Sequence, residues 1–237
     1  MRTLGLILAL VILLPLTCCD KQPPDKRAIA AAWDNFVKAN DEHNGAAAAA
    51  LVSKGTIDHY TKLLKVGLDA PAKQCWELRP TEMAEVLKMR NRFTRTELKS
   101  IDGKGYVLIK ASRGWATDDD DTWKLTDIQI TEGKATAMIY NPEVEAAFAK
   151  EKSLGILSRR RTFGPKPEKP PRYPLALVKE VENWKIDETS THAAQDEEIK
   201  SMARETRMSV RDFLMAVEEF NADSDKLSMS IWEPMKK

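Results

Sequence analysis

The sequence predicts an α+β protein in which helices come first, an antiparallel sheet follows and helices return at the end. Three observations carry this. Apolar residues recur at three- and four-residue spacing through residues 28–92, the period of an amphipathic helix. Short runs rich in aromatic and β-branched residues, separated by turns, then occupy residues 105–188, as strands do. Helical spacing resumes past Thr191. Helices, then strands, then helices is a segregated order, unlike the alternation of a parallel α/β fold. The 237 residues, 43% hydrophobic and 31% charged, suffice for one domain with a core and an appendage, and are too apolar for general disorder.

Arg2 supplies a positive start, and "LGLILALVILLPL" (residues 4–16) is an apolar run of 13 residues. That suits a secretory signal and is short of the roughly 20 residues of a spanning helix. The following "CDKQPPDKR" is polar and proline-bearing. "LTCC", Leu16 to Cys19, resembles a bacterial lipobox, with Leu16 at minus three, Thr17 at minus two and Cys18 at minus one. The resemblance implies cleavage before Cys19 and diacylation of its thiol, with the new amine often acylated too. Two or three chains form the stable anchor that one does not. The expected localisation is therefore the cell membrane, lipid-anchored on its extracytoplasmic side, with the membrane itself as a partner through Cys19. Using Cys18 instead would put Pro15 at minus three. Cys75 is then the one cysteine without a role, and is expected as a buried small hydrophobe.

The elements follow in order. Residues 19–27 are a tether. A first helix presents Ile29, Ala32, Trp33, Phe36 and Val37, and "NDEHNG" closes it at Gly45. A second begins in the alanine run 46–50, is interrupted at Gly55, and continues with Ile57, Tyr60, Leu63 and Leu64; alanine is the best helix former. Residues 78–92 form a third, with Pro80 in the first turn and Met83, Val86, Leu87 and Arg90 at helical spacing. Strands are predicted at 105–112, 122–130 and 134–140, with 131–133 as a tight hairpin loop. Residues 142–153 are a short helical or irregular passage. The proline-rich loop 164–174, "GPKPEKPPRYP", is extended and unable to join a central strand. Two strand pieces in 175–188 flank a turn at Glu182 and Asn183. In the C-terminal helices Ile199, Met202 and Ala203 share a face; Ser209 caps the second, with Asp212 at the capping-box place, and Phe213, Leu214, Val217 and Phe220 line its core side.

"AAWDNFVKANDEHNGAAAAALV" followed later by "LVKEVENWKID" resembles the nuclear transport factor 2-like superfamily. Bacterial extracytoplasmic members often begin with such a helix and end with such a strand, whose tryptophan enters the cone. The likeness covers residues 28–64 and 105–186. It implies N-terminal helices packed on a curved, cone-like antiparallel sheet. The expected organisation is a lipoprotein signal peptide at 1–18, a tether at 19–27, the cone-like domain at 28–190 and a C-terminal helical extension at 191–237.

Composition and motifs narrow the function. Removing residues 1–18 takes away only Arg2 of the 37 basic side chains, leaving 36 against 36 acidic ones. That balance gives no field to attract nucleic acid, which is not expected as a partner. No glycine-rich phosphate loop or nucleophile elbow is present. No histidine–carboxylate spacing suits a metal, and no cofactor is expected. Enzymatic members of the superfamily use acid–base pairs inside the cone, which makes His59, with a carboxylate from a strand, the candidate catalytic residue; the alternative is a half-exposed helix histidine. Asp58 cannot pair with it, since adjacent helical residues point about 100 degrees apart. His43 and His192 have no ligand-type neighbours in sequence. The aspartates of "TDDDDTW" lack an EF-hand's glycine and distal glutamate, and read as a solvated hairpin tip. The basic run 158–172 reads as a charged loop or as a contact for anionic headgroups.

Trp33, Phe36, Tyr60, Tyr106 and Trp184, with Trp123, are expected to fill the cone or, where packing is incomplete, to line an apolar pocket. The expected function is a membrane-anchored bacterial lipoprotein with a non-catalytic domain that binds a small apolar ligand or an envelope protein. The rival is a small isomerase- or dehydratase-like enzyme using a histidine–carboxylate pair. A third reading has the proline-rich arm and C-terminal helices docking a partner.

Overall fold

The computed structural model describes residues 23–115, 123–153, 172–222 and 226–236. The lipobox-like residues 16–19, the aspartates 118–121 and residues 164–171 of the proline-rich loop lie outside them.

The chain begins with seven helices: α1 (Pro24–Asp41), α2 (Gly45–Leu51), α3 (Lys54–Asp69), α4 (Ala72–Trp76), α5 (Pro80–Arg92), α6 (Arg95–Ser100) and α7 (Gly103–Ser112). Next come β1 (Lys124–Thr131), β2 (Lys134–Tyr140), α8 (Pro142–Ser153), β3 (Tyr173–Glu180) and β4 (Asn183–Asp187). A 3-10 turn at Glu188–Thr191 leads into α9 (His192–Glu205) and α10 (Val210–Asn221), and a second at Met229–Trp232 ends the fold. The α+β class is as predicted, and the strands form an open antiparallel sheet in the order β1-β2-β3-β4.

Local chemistry explains most boundaries. Pro24 opens α1, where its missing N–H costs nothing, so the end of the predicted tether is already helical. The side chains of Asn44, Ser53, Asp102 and Ser209 each accept a hydrogen bond from the backbone N–H three residues on, satisfying a donor that a helix start would orphan. The Ser209 cap thus stands as predicted. The interruption after the alanine run falls at Val52 and Ser53, just before Gly55, because that junction docks on the sheet: the Ser53 N–H donates to the Ile186 carbonyl at 2.7 Å.

Residues 105–112, read as a strand, belong to helix α7. The Asp102 carboxylate accepts from the Gly105 N–H at 2.7 Å and starts the helix. Tyr106, Val107 and Ala111 then face the core. α7 is wedged between α2 and α3, and a Cβ on Gly103 would strike the Ile57 carbonyl, while one on Gly45 would strike that of Leu108. Helix packing at glycine contact here overrides the β-propensity of "YVLI".

In the sheet, Ala135, Ala137 and Ile139 of β2 alternate inward, as do Leu175 and Leu177 of β3 and Trp184 and Ile186 of β4. α1 lies against β4 and β1. The hairpin between β1 and β2 turns at Glu132 and Gly133, both at positive φ, the geometry that matches strand twist. Pro174 joins β3 after all, opposite Met138 of β2. Pairing with β4 starts only at Ala176, so at Pro174 the strand has a partner on one side. The β3–β4 turn falls at Val181 and Glu182, one residue earlier than predicted. Val181 is 92% exposed at φ 57°, a conformation that costs an L-residue about 1–2 kcal/mol.

The C-terminal segment shares the main core: Leu214, Met215 and Trp232 belong to the same buried cluster as Trp33, Tyr60 and Leu87. Three polar ties, all to α5, fix it. Asp196 of α9 accepts from the Thr81 N–H and hydroxyl at 2.9 and 2.8 Å and from Arg79 at 2.7 Å. Glu218 of α10 takes both Arg92 nitrogens, at 2.6 and 2.8 Å, and Asn91 at 2.9 Å. Arg90 donates to the carbonyls of Val66, Gly67 and Ala70 and to those of Ile231 and Trp232. The Glu218 tie also corrects the predicted core face of α10: Leu214, Met215 and Glu218 face inward, and Phe220 is 86% exposed.

Two stability measurements test this account. Arg90→Ala removes the donor to five carbonyls, of which Val66 alone keeps a backbone N–H, and is expected to cost about 3–5 kcal/mol in urea unfolding; Arg90→Lys, lacking the planar fork, falls in between. Val181→Gly relieves the turn and is expected to stabilise by about 1 kcal/mol. An unchanged midpoint for either would contradict the corresponding interaction.

Candidate functional site

Between the helices and the sheet lies a cavity of about 520 Å³, within the range of small-molecule sites. Its floor is polar and its walls aromatic. α3 contributes Tyr60, α5 contributes Glu85 and Lys88, and α7 contributes Lys110, while Glu188 comes from the 3-10 turn after β4. Trp33 and Phe36 of α1, Trp123 before β1 and Tyr173 of β3 line the walls.

The floor holds two hydrogen-bonded clusters, one around Lys110 and one around Glu85. Lys110 Nζ donates to the Tyr60 hydroxyl at 2.6 Å, and that hydroxyl donates to Glu188 Oε2 at 3.0 Å. Lys110 also stands 3.5 Å from Glu188 Oε2. Glu85 accepts from the Tyr106 hydroxyl at 2.7 Å and from Lys88 at 3.3 Å. Buried charges persist only when paired and hydrogen-bonded in this way. Burial alone would raise the Glu85 carboxyl, but Lys88, Lys110 and the Tyr106 hydroxyl outweigh it and hold Glu85 at about 2. Burial alone would lower Lys110, yet Glu188, Tyr60 and Glu85 keep it well above its ordinary value. Burial, then Glu188, pushes Tyr60 far up.

The walls are tied together. The Trp33 indole N–H donates to the Trp123 carbonyl at 3.2 Å, joining α1 to the sheet. Trp123 and Tyr173 pack at 5.5 Å between ring centroids, and the Tyr173 hydroxyl donates to Glu198 at 2.9 Å. His192, at the start of α9, also lines the cavity. Burial, with His59 and Lys110 nearby, lowers it to about 4, so it is neutral at physiological pH.

Of the residues singled out from sequence, Trp33, Phe36 and Tyr60 line the cavity, as does Trp123. Tyr106 stands one layer behind, its ring 5.3 Å from that of Tyr60 and its hydroxyl on Glu85. Trp184 is elsewhere, 5% exposed, with its N–H 3.4 Å from Asp25 at the start of α1; α1 covers the face of the sheet through which it was expected to enter. His59 does not line the cavity. Its ring packs 5.2 Å from His192, and among the described residues its buried Nε2 has no hydrogen-bond partner. Cys75 is fully buried, and burial pushes its thiol up, the opposite of an activated nucleophile. Cys19 lies outside the described residues. Among the described residues no group of three or more His, Cys, Asp or Glu could hold a metal ion, and no helix is long and apolar enough to cross a membrane.

The sequence reading missed Glu85, Lys88, Lys110, Glu188 and Glu198, and set His192 aside for want of ligand-type neighbours. One signal was present: Lys110 interrupts the apolar run "YVLIKAS", and a lysine at such a position needs a buried partner. The others read as ordinary surface charges.

The network sets a pH dependence. His192 titrates at its ordinary 6.5 when unfolded and at about 4 when folded, so the unfolded chain binds the proton first and stability falls as pH drops from 6.5 to 4. Glu85 adds a second loss between 4.5 and about 2, for the same reason. Urea unfolding is expected to lose on the order of 2–3 kcal/mol in the first window. His192→Gln is expected to remove most of the first loss, leaving the part due to His59, which burial also lowers, and to leave the second window unchanged. A stability independent of pH between 6.5 and 4 in the unmodified protein would contradict the neutral burial of His192.

No family model matches the chain, and neither a curated protein nor a solved structure matches it.

Proposed function

We propose that the protein is a bacterial lipoprotein, anchored through Cys19 on the extracytoplasmic side of the cell membrane, whose domain binds a small molecule in the cavity and does no chemistry on it. The observation that carries the binding reading is the cavity itself: a drug-sized space with aromatic walls over a floor already fixed by hydrogen bonds, the usual composition of a ligand pocket.

The titrations support binding rather than catalysis. A general acid or base works best near the ambient pH, whereas Glu85 and His192 are held at about 2 and about 4, and Lys110 and Tyr60 are driven well above neutrality. Glu85, Lys110 and Tyr60 are thus locked in one protonation state. The likeness to nuclear transport factor 2-like proteins extends the same reading, with α1 and α3 as the helices that close a cone-like sheet and the cavity as its interior, although α7 stands where the likeness has a strand. The lipobox-like "LTCC" supports the anchor, and Pro24 starts the domain only five residues past Cys19, which keeps it close to the bilayer surface.

Two experiments test the two halves. Metabolic labelling with a palmitate analogue is expected to mark the full chain and to be lost in Cys19→Ala; a variant that keeps the label would overturn the anchor. Native mass spectrometry of the protein released gently from its own membranes is expected to show a bound molecule of a few hundred daltons, lost when Ala84→Phe fills the cavity. A chain of bare mass in both forms would overturn the binding reading.

A further inference from the structure

We infer that the cavity takes an organic cation, an alkylammonium group carried on an uncharged body, with Glu198 as its counter-ion. This rests on the cavity being a binding site, and concerns which chemistry it selects.

Charge accounting comes first. The cavity is lined by two ammonium groups, Lys88 and Lys110, and three carboxylates, Glu85, Glu188 and Glu198. Lys88 is bound to Glu85 and Lys110 to Glu188. Among the described residues Glu198 has no cation; it accepts only the Tyr173 hydroxyl. His192 is neutral at physiological pH and cannot supply the missing charge. The lining therefore carries one negative charge in excess, at its exposed edge on α9.

The aromatic faces give a second, independent argument. Cations already occupy some rings around the cavity: Arg92 and Arg113 stand 4.6 and 4.9 Å over Trp115, and Lys110 stands 4.9 Å over Tyr60. Among the described residues no cation stands over Trp33, Phe36, Trp123 or Tyr173. These four belong to one continuous wall, since Trp33 is hydrogen-bonded to Trp123 and Trp123 packs on Tyr173. Free indole and phenol faces beside an unmatched carboxylate are the arrangement that attracts an alkylammonium group. Lys110 and Lys88 at the floor repel that group. The ligand's charge thus sits at the Glu198 end, away from the two lysines.

An anion fits poorly. Both lysines are committed to carboxylates, and displacing either would leave a buried Glu85 or Glu188 without its cation. A purely apolar ligand leaves Glu198 indifferent and gains nothing from the free aromatic faces beyond their area.

The test compares two isosteres that differ in charge, acetylcholine and its neutral carbon analogue 3,3-dimethylbutyl acetate. They are titrated into the full chain by calorimetry and tryptophan fluorescence. The cation is expected to bind at least tenfold tighter than the neutral ester. Glu198→Gln, which keeps a hydrogen-bond acceptor for Tyr173 and should leave the circular dichroism unchanged, is expected to remove most of that preference by weakening the cation alone. Equal or tighter binding of the neutral ester, abolished by Ala84→Phe, would overturn the cation inference while leaving the cavity as a binding site. A cation preference untouched by Glu198→Gln would overturn the role of Glu198. Failure of both compounds to bind would count against this inference and, with a chain of bare mass in the native spectrum, against ligand binding as a whole.

Discussion

The fold turns on one buried guanidinium. Arg90 points from α5 into the place where the C-terminal end of α3 meets the end of the chain, and its nitrogens satisfy carbonyls from both. The last carbonyls of a helix have no partner within it and carry the negative end of its dipole. Gly67 and Ala70 supply such carbonyls, Val66 takes Arg90 as a second donor beside the Ala70 N–H, and Ile231 and Trp232 add two from the terminal 3-10 turn. A planar donor with five N–H groups is the side chain whose geometry meets this demand. Burial lowers the Arg90 pKa, and the carbonyl oxygens make that burial tolerable without a hydrogen-bonded carboxylate. Trp232, fully buried beside it, adds the hydrophobic part of the same closure.

The same helix then positions the cavity. Asp196 docks α9 at the start of α5 and Glu218 docks α10 at its end, each a charged group satisfied by several donors. α9 in turn carries His192 and Glu198 to the cavity, while α5 itself delivers Glu85 and Lys88 to the floor. What holds the C-terminal helices on the domain therefore also sets the distance between floor and edge. Tightly packed, bonded walls of this kind let a ligand bind without first ordering the site.

The floor network has a different character from the walls. Its charges are matched one for one, Lys88 with Glu85 and Lys110 with Glu188, and Glu85, Lys110 and Tyr60 are driven away from neutrality. The wall residues have apolar bodies and uncommitted faces. Among the described residues Glu198 at the edge has no cation beside it, whereas the floor carboxylates do.

How much of this was legible in the sequence depends on the range of the interactions. Composition and periodicity determined the α+β class, the helices begun by Pro80 and Ser209, the β1–β2 hairpin and the burial of Cys75, because each rests on contacts a few residues apart or on the solvent preference of a single side chain. Residues 105–112 were misread because their β-favouring composition is local, whereas the glycine contacts with α2 and α3 that make them helical are not. Phe220 was assigned to the core by spacing alone, yet the Glu218–Arg92 pair, which spans 126 positions, turns α10 so that Phe220 faces outward. The cavity is of the same kind. Tyr60, Glu85, Lys110 and Glu188 carry no common motif and become a network only when four separate elements converge. Sequence thus determined which segments are helix or strand wherever the cause is local. Tertiary structure alone decided which charges lie together, because burial, which makes pairing obligatory, is a property of the folded chain.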